Sequence, residues 1–405
     1  MNLVYIHQYF ETPNEFGGLR SYKNALHMIE HGHQVTVVSG ASHYHSSDSV
    51  KRTSKWIVRE TIDGIHVIWI DSIFSSHRSF FSRFLSFIVF MFLSAAVVLR
   101  LPADAVYATS PPLTVIVPAF IASFFKRCKL IFEIRDIWPE SAVTTGVLKN
   151  RAVIFIAEWL EWFAYYQSDA LVAVSAGIRD ALVERGIDPA KCFVVPHGAD
   201  LDLLHPQNSR EQVRKRLGLP DGFVATYAGT FGWANGLETV LDAAERLRES
   251  TIHFLLIGDG KEKNNLLEKA KELKLSNVTF AAPVPKREIV DVLAASDAGL
   301  MILRDSPTFK TVLPNKLLDY MGCGLPIVIN FSGFSAGLVE QAGGGAVVRP
   351  NDAGALSEAL SGLSEQPEAA RQLGEAGRQF VIDHYSRERC VSLFREVVEK
   401  VVVAQ

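Results

Sequence analysis

The segment Thr311–Ile329, TVLPNKLLDYMGCGLPIVI, sets a lysine and an aspartate one helical turn apart, just ahead of a wholly apolar run. Pro314 suits the first turn of a helix, so the helix starts near Asn315 with its unbonded N–H groups open to a ligand. Lys316 beside that positive end makes an anion site. Asp319 lies on the same face one turn further in. A carboxylate about 5 Å along the helix from a phosphate can accept two hydrogen bonds from a ribose diol, as the acidic residue of dinucleotide-binding domains does. A solvent-exposed Lys–Asp pair, the competing possibility, would contribute little. Leu317, Leu318 and Met321 supply the buried side, and Gly322-Cys323-Gly324 closes the helix before LPIVI.

Other candidate groups also follow apolar runs. YAGTFGWANGLETVL places Gly229, Thr230, Gly232 and Gly236 ahead of a helix, and LLIGDGKEKNNL repeats the device with Gly258, Asp259, Gly260 and Lys261. Either turn alone fits an ordinary strand-to-helix connection; two in one domain favour a phosphate site. Nearer the start, Gly17-Gly18 permits close backbone approach and Arg20 adds charge, although a simple turn explains the glycines equally well. This is not GxGxxG, and no acidic residue about 20 positions on closes a βαβ unit, which argues against a dinucleotide. FEIRDIWPE sets Arg135 and Asp136 at a strand end before Trp138-Pro139, as a salt-bridged loop or, preferably, a cleft wall; YATSPP, Tyr107–Pro112, is a second such loop. Asp200 and Asp202 in HGADLD could hold a divalent ion, but a cap or turn is the simpler reading, and His197 beside them is a turn or cleft residue. No other His, Cys, Asp or Glu group has metal spacing and no GxSxG elbow occurs, so no metal site is expected.

These residues must be positioned by a chain of 405 residues, 48% hydrophobic and 21% charged, with net charge −3. That length favours two domains, and that charge gives no reason to expect nucleic acid as a partner. Four scattered cysteines, Cys128, Cys192, Cys323 and Cys390, fit a reduced, cytoplasmic compartment. MNLVYIHQYF reads as a first strand rather than a signal peptide. Short apolar runs (LVYIHQY, QVTVVSG, AVYATS, LIFEIRD, ALVAVS, FVVPHG) alternate with helical stretches, and from about residue 222 the theme restarts with FVATYAGT, HFLLIGDG, VTFAAP, AGLMIL, LPIVI and GAVV. The expected fold is α/β: two doubly wound, Rossmann-like parallel-sheet domains facing across a cleft. The divisions expected are 1–200, 201–385 and a last helix, 386–405, that returns to the first domain. The uncharged run Phe84–Leu99 is shorter than a spanning helix requires. It is either a buried helix or one whose Phe-rich, Arg-flanked start dips into an anionic membrane interface.

Taken together, GGLRSYKNAL, ATSPPLTV, EIRDIWPES, YAGTFGWANGLETVLDAAERL, IGDG and LPNKLLDYMGCGLPIV give the whole chain a resemblance to the family-four retaining glycosyltransferases of the GT-B fold. It is most similar to the bacterial O-antigen, capsule and exopolysaccharide branch, including L-fucosamine transferases. The resemblance implies a nucleotide-sugar donor, a UDP-sugar and possibly an N-acetylated hexosamine, on the C-terminal domain and an acceptor on the N-terminal one, with no metal and no cofactor. Asp319 matches the second acidic residue of the family's E-x7-E motif, which grips the ribose. Thr311 stands where a Glu usually supports the donor sugar, Arg135 where many relatives carry a histidine, and Asn235 where a phosphate-binding lysine usually precedes glycine. Lys316 is then expected to supply the diphosphate charge that Asn235 cannot. The branch's polyprenyl-diphosphate-linked glycan acceptor gives Phe80, Phe81, Arg83 and Phe84 a role at an anionic membrane surface, with the enzyme peripheral on the inner face of the cytoplasmic membrane. Three alternatives compete: a nucleotide-sugar epimerase of the same fold, which would turn over donor alone; an NAD-dependent oxidoreductase, which would bind nicotinamide; and a non-catalytic binder, which would hold UDP without turnover.

Overall fold

The computed structural model describes residues 1–13, 19–41, 56–71, 80–204 and 206–403, apart from the side chains of 80, 81, 83, 286 and 287. The chain divides into two compact units, Met1–Pro196 with Cys390–Gln405, and His197–Arg389.

In the first unit the strands are β1 (Asn2–Ile6), β2 (Gln34–Gly40), β3 (Ile57–Ile62), β4 (Ile65–Ile70), β5 (Ala105–Thr109), β6 (Lys129–Ile134), β7 (Ala170–Ala173) and β8 (Cys192–Val194). They form one sheet in the order β3-β4-β2-β1-β5-β6-β7-β8. All pairings are parallel except β3 with β4. That hairpin is missing from the strand runs picked out of the sequence. It turns at Asp63-Gly64, both with positive φ (49° and 85°), the backbone an Asp-Gly hairpin turn requires. The helices are α1 (Arg20–Glu30), α2 (Phe80–Val98), α3 (Ile116–Lys126), α4 (Glu140–Thr144), α5 (Arg151–Gln167) and α6 (Ala176–Glu184).

Alternation along the strands divides the core. Val4, Ile6, Val106 and Phe132 face the layer that holds α2, α3 and α5. Leu3, Tyr5, Val35 and Tyr107 face α1, through Tyr22 and Met28, together with Phe394 and Val398 from near the C-terminus. The period of two in the strands thus feeds helices on both faces. None of the described helices is long and apolar enough to cross a membrane.

The second unit holds β9 (Phe223–Ala228), β10 (Ile252–Ile257), β11 (Val278–Ala281), β12 (Ala298–Met301), β13 (Ile327–Ile329) and β14 (Gly345–Val347). They form an all-parallel sheet in the order β11-β10-β9-β12-β13-β14. Between them run α7 (Arg210–Leu217), α8 (Glu238–Arg246), α9 (Lys263–Glu272), α10 (Lys286–Ala294), α11 (Asn315–Gly322) and α12 (Phe334–Ala342), followed by α13 (Ala353–Glu365) and α14 (Pro367–Tyr385); the last helix, α15 (Arg387–Val403), belongs to the first unit from Cys390 on. Each sheet reverses its winding once, at β1/β5 and at β9/β12. Ligands of doubly wound sheets bind beyond the carboxyl ends of the strands at such reversals.

Candidate functional site

At the β9 end of the second unit, two glycine turns pack on each other. Gly229 N–H donates to the Ile257 carbonyl at 2.9 Å and Phe231 N–H to the Asp259 carbonyl at 2.8 Å. Gly258 has φ +153°, and a Cβ there would run into the Gly229 carbonyl oxygen. At Gly229, φ +152°, a Cβ would sit 3.2 Å from Lys316 Nζ and 3.3 Å from the Tyr227 hydroxyl. Glycine is therefore required here by backbone conformation and close approach together.

Lys316 enters this corner from the first turn of α11, whose N-cap Pro314 contributes no side-chain cap. Its Nζ donates to the Tyr227 hydroxyl at 2.9 Å and to Asn235 Oδ1 at 3.5 Å, and lies 4.1 Å above the Tyr227 ring. The Tyr227 hydroxyl and Asn235 Nδ2 both donate to the Thr230 carbonyl, at 2.9 and 2.8 Å. Burial pushes the Lys316 pKa from 10.5 down to about 7, and no carboxylate among the described residues opposes it. Desolvation likewise raises the Tyr227 and Tyr320 hydroxyls well above their usual range, so both remain neutral donors. Tyr320 ties the helix to the strand by accepting from Ala228 N–H at 2.7 Å and donating to the Ala228 carbonyl at 3.2 Å. The corner is a desolvated ammonium held by a ring face and two neutral oxygens, beside two close backbone turns. An anion entering it would restore full charge to the lysine.

Asp319 is half-buried in the same helix, and half-buried Thr311 ends the 3₁₀ segment Pro307–Thr311. Asn315, the first residue of α11, is exposed. Gly232 and Gly236 bracket a short turn, Trp233–Asn235. Lys261 is exposed in the turn before α9, which starts two residues later; there Lys263, not Lys261, pairs with Asp259, at 3.6 Å. Tyr227 and Tyr320 were absent from the sequence-based candidates. A tyrosine in the middle of the apolar run FVATYAGT was the available signal.

The first unit ends its central strands differently. Gly17 and Gly18 lie outside the described residues. Arg20, assigned from sequence to an anion site, is buried and ion-paired with the wholly buried Glu133 of β6. Its charge is met inside the unit because no ammonium or guanidinium can be buried cheaply without a counter-charge. Arg135 and Asp136 are half-buried just beyond β6. Burial lifts the Asp136 carboxyl above its ordinary pKa, against the pull of Arg135. His7, which the sequence reading passed over, is buried just beyond β1, with Nδ1 3.0 Å from Ser21 Oγ, itself accepting from the Tyr5 hydroxyl at 3.1 Å. Burial, then Arg135 and Arg20, lowers its pKa well below 6.5, so it is neutral.

Two further expectations meet the structure here. Asp200 is neither a side-chain cap nor an open ligand: its carboxylate is gripped by Arg387 through Nε at 2.7 Å and Nη2 at 3.0 Å. Among the proposed membrane residues, the side chains of Phe80, Phe81 and Arg83 lie outside the described set, while Phe84 is 43% exposed.

Comparison with known proteins agrees with this architecture. Residues 22–203 match the family described as Glycosyltransferase Family 4, and residues 209–380 match Glycosyl transferases group 1. The chain carries two glycosyltransferase domains. WcaI of Escherichia coli K12, a glycosyl transferase provisionally assigned to colanic acid biosynthesis, is 23% identical over 340 residues, covering 79% of this chain and 81% of WcaI. Sucrose-phosphate synthase from Thermosynechococcus elongatus shares the fold with a TM-score of 0.78 at 17% identity, covering all of both chains. HepE from Anabaena, solved with UDP, gives a TM-score of 0.71 at 16% identity, covering 99% of this chain and 100% of HepE. The fold is that of the GT-B glycosyltransferases. The glycine turns and Lys316 fall within the group 1 domain, and Arg135 within the family 4 domain.

Proposed function

We propose that this glycosyltransferase moves a sugar, an N-acetylated hexosamine or a simple hexose, from UDP to a polyprenyl-diphosphate-linked glycan, retaining the anomeric configuration and needing no metal. One observation carries the reading: Lys316, desolvated and without a carboxylate partner among the described residues, held beside the Gly229 and Gly258 turns. Such a group gains most when an anion arrives, and its gain grows as the leaving diphosphate takes on charge. In the transfer, the bond from anomeric carbon to phosphate oxygen breaks and a bond to the acceptor oxygen forms. The acceptor's proton goes to the departing phosphate, so no separate carboxylate base is required.

Within this reading Asp319 accepts from the ribose hydroxyls, and Thr311 takes the place of a carboxylate near the sugar. Arg135, oriented by Asp136, serves the acceptor side. The likeness of the whole chain to HepE, solved with UDP, supports the choice of nucleotide. Exposed aromatics lie along α2 and α3 (Phe84, Phe92, Phe124 and Phe125), and Arg100, Lys126 and Arg127 stand at the C-terminal ends of those helices, where Lys126 Nζ donates to the Leu99 carbonyl at 3.0 Å. An apolar surface edged with cations suits the inner face of an anionic membrane.

The test is calorimetric titration with UDP and GDP, wild type beside Asp319→Ala. UDP is expected to bind in preference to GDP, and loss of charged hydrogen bonds to the ribose should weaken it by about 1–3 kcal/mol. Absence of binding by either nucleotide would overturn the proposal.

A further inference from the structure

The first unit has a groove of about 650 Å³ between α4 and α5. Its chemistry differs from that of every site considered above. The α5 sequence RAVIFIAEWLEWFAYYQ spaces Phe155, Trp159, Trp162 and Tyr166 three or four apart, so they form one stripe. The opposite edge of the helix, with Leu160 and Ala164, packs into the core, and Trp162 is itself half-buried against it, leaving Phe155 and Trp159 as the open part of the stripe that lines the groove. Phe155 and Trp159 are 69% and 60% exposed at the groove wall. Trp159 stacks on Phe163 at 5.4 Å and Trp162 on Tyr166 at 5.6 Å, both with rings 21° apart. The indoles are thus held in place before any ligand arrives.

The polar side of the groove is acidic. Arg185, at the end of α6, donates through Nη1 to Glu161 at 3.1 Å and through Nη2 to Glu140 at 2.6 Å. Tyr165 donates to the same Glu161 oxygen at 2.7 Å. Glu158 stands exposed at the lip. Burial raises the Glu161 carboxyl to about 7, yet among the described lining residues Glu140 and Glu158 with Glu161 still outweigh the one guanidinium, which is already shared between Glu140 and Glu161. A phosphate or an anionic lipid headgroup would be repelled. A hydrocarbon tail would strip water from Glu140 and Glu158 without offering them hydrogen bonds. What fits both surfaces is a pyranose: its C–H face lies on an indole, while its hydroxyls donate to the carboxylates. An ammonium on the sugar would gain further from the rings and the charge.

We infer that this groove is a saccharide subsite for neutral or amino sugars. Its place in the reaction rests on the transferase reading. The groove begins at Pro139 and Glu140, directly after the loop that carries Arg135 and Asp136. It therefore takes sugar units of the glycan acceptor other than the one that reacts, so a longer acceptor is held better than a single sugar.

The full chain is titrated with chitotriose and maltotriose, with trigalacturonic acid as an anionic control and with phosphatidylglycerol vesicles, following tryptophan fluorescence and saturation-transfer NMR. At least one neutral trisaccharide is expected to saturate, and the triuronide to bind about tenfold more weakly or not at all. Trp159→Ala should weaken the trisaccharide about tenfold while Trp159→Phe, which keeps a ring, recovers most of it. Glu158→Gln should narrow the gap between neutral and anionic sugars. No saturation by either neutral sugar, saturation unaffected by Trp159→Ala, or Trp159-dependent binding to vesicles alone would each overturn the inference. UDP is titrated into the same samples. UDP binding without saccharide binding sinks the subsite and spares the transferase reading; the reverse does the opposite.

Discussion

The two sheets end in contrasting ways. Beyond β9 and β10 of the second unit stand glycines and one half-buried lysine whose charge, among the described residues, is met only by a ring face and neutral oxygens. Beyond β1 and β6 of the first unit stand His7, Arg135 and Asp136, with Arg20 locked to Glu133 below them. Both regions bury cations at the carboxyl ends of strands. One leaves the charge unanswered, and the other answers it with a carboxylate. The lesson is that a basic residue after a strand is not evidence of an anion site until its counter-charge is known. Arg20 and Lys316 look alike in the sequence and are opposites in the fold.

The sharpest way to break that comparison is Glu133→Gln. It should cost about 3–5 kcal/mol by removing the carboxylate that meets the buried Arg20, read as a lowered denaturation midpoint, while UDP affinity stays as in wild type. An unchanged midpoint would mean that Arg20 is not answered by Glu133 at all. Gly258→Val comes next, at about 3 kcal/mol. Its side chain must push the Gly229 carbonyl aside, so UDP binding should be lost along with stability.

Lys316→Met should behave in the contrary sense, weakening UDP by about 2 kcal/mol without destabilising the free protein. The sign follows from the pKa. Folded Lys316 titrates near 7 against 10.5 for the free side chain, so between those pH values the unfolded chain holds more protons. Stability from this group then rises with pH across that window, and the full penalty is present below pH 7. The Lys316→Met substitution removes that slope. Wild-type UDP binding should take up a proton above pH 7, seen as a dependence of calorimetric heat on the buffer's ionisation enthalpy, and the variant should lose that contribution. The smallest effect on stability, within about 0.5 kcal/mol, is expected for Phe124→Ser combined with Phe125→Ser. Capture on phosphatidylglycerol vesicles should nonetheless drop several-fold, and unchanged capture would remove the α3 surface from the membrane proposal.

The fold class was legible because strand and helix periods are local. Runs such as LVYI, HFLLI and LPIVI are short and apolar, and each is set off by turn residues. Helix α11 begins where Pro314 indicated. The hairpin Ile57–Ile70 carries its own local signal, Asp63-Gly64 between alternating residues, and departs from the strand–helix alternation of the rest of the unit. Lys316 was legible as a candidate from its place on the helix. Its setting was not, since Tyr227 lies 89 positions away. The Glu140–Arg185–Glu161 cluster was likewise invisible, because three separate helical elements bring it together.

What the sequence determined by itself was the order of strands and helices, the glycine turns between them and the faces that had to be buried, because each depends on neighbours within a few residues. Tertiary structure alone decided which charges are spent and which are available. A side chain's desolvation and its counter-charge depend on residues brought together only when the sheet closes. In this protein that decision set Arg20 against Glu133 and left Lys316 without a carboxylate partner among the described residues.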